Sequence, residues 1–106
     1  MESLLAGEAG LALHNEADAL DIISSGLRGC ILLPEDLHPQ FFDLNNRIAG
    51  SVFQKFVNYH YRVAFVLPED HGYGDRVTEL IRDHRSHACV RFFTTVDAAQ
   101  TWLCDD

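Results

Sequence analysis

Residues 30–67 read CILLPEDLHPQFFDLNNRIAGSVFQKFVNYHYRVAFVL, and this stretch decides the fold. It opens on the apolar run at 30–33 (CILL) and closes on the run at 62–67 (RVAFVL). Both are nearly continuous in apolar residues, the pattern of parallel strands covered on both faces. Pro34 and Pro68 end them, because proline has no N–H to give to a ladder. Between the runs, Phe41, Leu44, Ile48, Val52 and Phe56 recur every three or four residues, and Ala49 and Phe53 widen the stripe. Arg47, Gln54, Lys55 and Asn58 take other faces, so the spacing predicts an amphipathic helix. Strand, helix, strand in that order is a βαβ unit, which implies a right-handed crossover and parallel pairing.

The same alternation continues outward. Residues 88–94 (ACVRFFT) form a third apolar run, interrupted only by Arg91. Val77, Leu80, Ile81 and His84 give a second helical stripe, opened by the turn-like HGYGD at 71–75. Val96, Ala99, Trp102 and Leu103 give a third, with Thr94 and Asp97 at capping-box spacing before it. Asn15 and Asp18 repeat that spacing ahead of Ala17, Leu20, Ile23 and Leu27, and Gly26 offers a stop. Residues 4–6 and 11–13, separated by GEAG, read as a hairpin or one irregular strand. The expectation is a single α/β domain over residues 1–106. It has a small mixed, mainly parallel sheet of four to five strands and about four helices.

Length and composition fit that expectation. At about 150 residues per domain, 106 residues make one. An apolar share of 47% supports a core without staples and argues against disorder. Eight Lys and Arg stand against 16 Asp and Glu, a formal charge of −8. Lys55 is the one lysine and the arginines are scattered, so no basic patch exists to release counterions from nucleic acid or to meet an anionic membrane. No apolar run approaches the roughly 18 residues of a spanning helix. The start, MESLLAGEAGLAL, carries Glu2 and Glu8 and no basic region, and reads as part of the fold rather than as a signal peptide. Cys30, Cys89 and Cys104 form no CxxC pair, and their odd count points to reduced thiols and a cytoplasmic protein.

Several residues invite chemical readings. Asp43, Asn45 and Asn46 fall where the long helix begins, as caps for its first N–H groups or as a recognition edge at the strand ends. Gly50 sits inside the helical stripe, where glycine costs about 1 kcal/mol against alanine. Close packing of the helix on the sheet is the expected offset, and close approach of a ligand the alternative. Glu35 and Asp36 follow the first long strand, and Glu69 and Asp70 the second, which predicts an acidic rim at one end of the sheet. His71 and Tyr73 lie in the same loop as the second pair, but no serine accompanies them. No G-x-S-x-G, P-loop or G-x-G-x-x-G pattern occurs, so no catalytic residue and no cofactor is assigned. His84, His87 and Cys89 (HRSHAC) suggest a metal, but no fourth ligand is evident, and a solvated helix end is preferred. Tyr59, His60 and Tyr61 lie at a helix-to-strand connection, as peripheral core or as an association surface.

The chain resembles the bacterial domain-of-unknown-function family 4180. The resemblance rests on FFDL at 41–44, Ala49-Gly50, QKFVNY at 54–59 followed by a strand, DALDII at 18–23 and AAQTWL at 98–103. It implies a small α/β domain and no assigned activity. A wider resemblance is to STAS domains, which include anti-sigma-factor antagonists. There a buried strand and a polar turn lead to an amphipathic helix, here through Phe42, Asp43 and Gly50. That likeness implies protein binding without cofactors, often switched by phosphorylation of a hydroxyl at the helix start. Asn45 and Asn46 stand where the hydroxyl is expected, and Ser51 lies more than a helical turn further on.

The functional expectation is therefore a non-catalytic STAS-like regulatory or protein-interaction domain. Its surface would be the acidic rim with the start of the long helix, namely Glu35, Asp36, Asp43, Asn45, Asn46, Glu69, Asp70, His71 and Tyr73. The implied partner is a basic protein or a second copy of the chain, through Tyr59 and Tyr61 in the latter case. The alternative is a small-molecule-binding or enzymatic domain built on the same acidic rim with His71 and Tyr73.

Overall fold

The computed structural model describes residues 4–13, 16–26, 29–37, 41, 48–68, 72, 74–84 and 87–104. Among these, four helices alternate with three strands: α1 (Glu16–Ile23), β1 (Gly29–Leu32), α2 (Ile48–Asn58), β2 (Arg62–Val66), α3 (Asp75–Asp83), β3 (Val90–Phe93) and α4 (Val96–Cys104). The strands lie in the order β1-β2-β3, and both pairings are parallel. Cys30 stands opposite Val63, and Phe65 opposite Phe92.

Four to five strands are expected, and the described residues form three, with two isolated bridges beside them, Leu5 to Ile31 and Leu13 to Leu37. Residues 4–6 run along the outer edge of β1: Ile31 N–H donates to Leu4 O at 2.7 Å and Ala6 N–H to Ile31 O at 2.9 Å. A 3-10 turn at Gly7–Ala9 then takes the chain off the ladder. Residues 4–6 and 11–13 bridge to different segments, and Leu11 N–H donates to Ala6 O at 2.8 Å between them.

Strand alternation divides the core into two layers. Cys30, Leu32, Val63, Phe65, Leu67 and Val90 face one side, against Ala19 and Ile22 of α1, Val52, Phe53 and Phe56 of α2 and Val77 of α3. Ile31, Ala64 and Val66 face the other, against Ala99 and Leu103 of α4. Three helices thus cover one face and α4 the other. Phe65, fully buried on the central strand, stands 5.1 Å from Phe92, 5.5 Å from Phe53 and 5.8 Å from Phe41 between ring centroids. Gly29 explains how α4 comes so close. A Cβ there would stand 2.7 Å from Leu103 Cδ2 and 3.2 Å from the Arg62 carbonyl oxygen.

Helix ends differ in detail from the expected stripes. The described part of α2 begins at Ile48, and Phe41 stands outside it as a buried turn residue. α3 ends at Asp83, with His84 as its cap. The α4 cap is Thr95 rather than Thr94, with Ala98 N–H donating to Thr95 Oγ1 at 3.2 Å. Asn15 lies outside the described residues.

Candidate functional site

Parallel pairing brings the carboxyl ends of β1 and β2 side by side, with Leu32 in register with Phe65. Open α/β sheets bind their ligands outside such ends. Glu35 and Asp36 lie in a 3-10 turn, Pro34–Asp36, that leaves β1 there. The two acids have different work. Asp36 is half-buried, and its Oδ2 accepts the Leu33 N–H at 3.0 Å, so its carboxylate caps the turn. Its backbone carbonyl accepts Leu13 N–H at 2.8 Å, which ties the turn to the N-terminal segment. Glu35 is exposed. Asp43, Asn45, Asn46, Glu69, Asp70, His71 and Tyr73 lie outside the described residues. Glu69 and Asp70 directly follow Pro68, where the chain leaves β2 at the same sheet end.

α2 adds an exposed surface beside that end. Gly50 and Ser51 in its first turn are exposed, while Val52, Phe53 and Phe56 are buried on the sheet side. The expectation that Gly50 lets the helix pack on the sheet is overturned. Among the described residues, a Cβ at Gly50 would have nothing within 4 Å. The fold described here gives no reason for a glycine at that point in a helix.

The pair of histidines near β3 is tightly engaged. His84 Nδ1 lies 2.8 Å from the Leu80 carbonyl oxygen, and His87 Nδ1 accepts the backbone N–H of Cys89 and of Val90, each at 3.0 Å. A ring nitrogen whose lone pair takes two N–H groups leaves the neutral ring's proton on the other nitrogen. His87 therefore has no lone pair ready for a cation, which works against the metal reading of HRSHAC. No group of three or more His, Cys, Asp or Glu side chains is placed to hold a metal among the described residues.

Tyr59, His60 and Tyr61 separate. Tyr59 is exposed at 57%, whereas Tyr61 is buried and stacks on Phe56 at 5.9 Å. His60 closes α2 in the left-handed region, with φ 54°. The thiols also differ: burial, with Asp36 adding to it, pushes Cys30 up to about 12, while Cys104 is exposed on α4.

One cluster escaped the sequence reading. The Arg62 and Arg91 guanidinium groups lie 5.4 and 4.9 Å from the Trp102 ring centroid. Arg62 Nη2 also donates to the Leu103 carbonyl at 2.6 Å. The signal was present in the two-residue period, which puts Arg62 on the Ala64 face of β2 and Arg91 beside Ala64 in register. Only the register of β2 with β3 brings the two arginines together, and periodicity does not fix that register.

Among the described residues no helix is long and apolar enough to cross a membrane. The family model of a domain of unknown function (DUF4180) matches residues 2–103. No curated protein and no solved structure matches the chain.

Proposed function

The chain belongs to the DUF4180 family, and on that footing we propose that it is a cytoplasmic, non-catalytic interaction domain of STAS-like fold. Its binding surface is the carboxyl end of β1 and β2 with the adjoining start of α2. Glu35, Asp36, Asp43, Asn45, Asn46, Glu69, Asp70, His71 and Tyr73 make up this surface, and a basic protein patch is its partner.

The observation that carries the reading is Gly50. A glycine inside a helix costs about 1 kcal/mol against alanine. Here it is exposed, and no described neighbour would contact a side chain at that place. A bare helix backbone suits the close approach of another surface. It lies four residues after Asn46 in sequence and on the helix that follows the β1 end. The charge balance supplies the partner's sign, because a chain of net −8 with Glu35 exposed at the sheet end favours basic surfaces.

Affinity capture from the native cell tests this, with Asn46→Glu compared against wild type and against Thr101→Glu on the exposed face of α4. The expected result is a partner retained by Thr101→Glu and lost by at least about tenfold from Asn46→Glu, the effect of one unfavourable contact at an interface centre. Equal retention by all three proteins would place the partner elsewhere.

A further inference from the structure

His84 and His87, with ring centroids 5.1 Å apart, use the same ring nitrogen in opposite ways. A carbonyl oxygen only accepts, so His84 Nδ1, 2.8 Å from Leu80 O, carries a proton and donates. Backbone N–H groups only donate, so His87 Nδ1, 3.0 Å from the nitrogens of Cys89 and Val90, accepts. A ring nitrogen that donates keeps its hydrogen bond whatever the state of the other nitrogen. His87 has no such freedom. A proton on its Nδ1 turns the acceptor into a third donor facing two others.

We propose that His87 is a proton-operated latch on the amino end of β3: the neutral ring holds the turn into the strand, and the charged ring releases it. The proposal is independent of the partner surface described above, which lies at the other end of the strands.

The surroundings reinforce the effect. Among the described residues, the charged groups that act on the ring are His84 at the end of α3 and Arg91 on β3. Arg91 is held close, because its Nε donates to the His87 carbonyl at 2.7 Å. The groups that α2 and β3 bring to His84 are uncharged, Phe53 at 5.4 Å and Phe92 at 6.0 Å. Trp102 of α4 lies against Arg91. Partial burial, then His84, then Arg91 hold His87 below the ordinary histidine range. With the folded value under the unfolded one, the unfolded chain takes up the proton first. The latch then contributes fully above about pH 6.5, and its contribution is lost as the pH falls from there towards the folded value.

Release would not stay local. Cys89, whose N–H is held by His87, passes its carbonyl to Val63 N–H of the central strand at 2.8 Å. β3 is the last strand in the sheet order, and Val90 is its one buried residue. Freeing its first turn weakens the strand with the fewest buried side chains and exposes the ring cluster of His84, Phe92 and Phe53.

Nitrogen-15 NMR of the histidine rings, read with amide exchange, tests the latch. In wild type, His87 should hold its proton on Nε2 and titrate below about pH 6.5, with protection of the Cys89 and Val90 amides falling about tenfold over the same interval. His87→Asn, whose Oδ1 accepts at the same reach and does not titrate, should keep that protection in acid. Two results overturn the latch: wild-type protection that does not change with pH, or a fall of equal size in His87→Asn. Should the variant not fold, the wild type decides alone, by whether the His87 midpoint and the loss of protection coincide.

Discussion

Two glycines that look alike in the sequence have opposite meanings in the fold. Gly29 faces α4, where a methyl group would meet Leu103 and the Arg62 backbone. Gly29→Ala should therefore destabilise the protein by about 1–3 kcal/mol, the range for overfilling a packed site, as measured by urea unfolding. Gly50 faces open space among the described residues. Gly50→Ala should stabilise the protein by up to about 1 kcal/mol in the same experiment, the helix propensity difference. The sequence singled out Gly50 correctly as a residue needing a reason, because helical period alone marks its position. It could not say which face of α2 the glycine occupies, since that depends on where the sheet lies. Nothing in the sequence around Gly29 marks it in this way. Its constraint comes from Leu103, 74 residues away in the chain.

The elements themselves follow from local pattern. Apolar runs ended by Pro34 and Pro68 became β1 and β2, and the stripe from Ile48 to Phe56 became α2. Illegible parts were those set by hydrogen bonds to particular atoms. The end of α2 is an example. Tyr61 N–H donates to Phe56 O at 2.9 Å and His60 N–H to Val57 O at 3.1 Å, the two bonds of a Schellman motif, and Phe56 stacks on Tyr61 across it. The motif needs a left-handed residue at its turn, and His60 takes it at φ 54°. A side chain other than glycine pays there in steric strain. His60→Gly should accordingly raise stability by about 0.5–1 kcal/mol, after the greater freedom glycine gives the unfolded chain. A thermal melt with unchanged far-UV circular dichroism would check it. A sequence with Gly at this position would have announced the turn; NYHYR hides it. The first strand expected at the N-terminus shrank to single bridges for a related reason. GEAG folds into a 3-10 turn before the pairing can lengthen.

For the molecule as a whole, the parallel sheet sends the chain out of β1 and of β2 at the same end. Of the two described acids there, Glu35 is exposed and Asp36 is committed to capping its turn. The opposite end carries the His87 turn and the entries to β2 and β3.

Amide exchange of the complex with its captured partner tests the central claim most directly. The account predicts new protection confined to residues 33–37, 45–51 and 67–73, at the carboxyl ends of β1 and β2 and the start of α2. Protection centred on α4, or on the turn before β3, would contradict it.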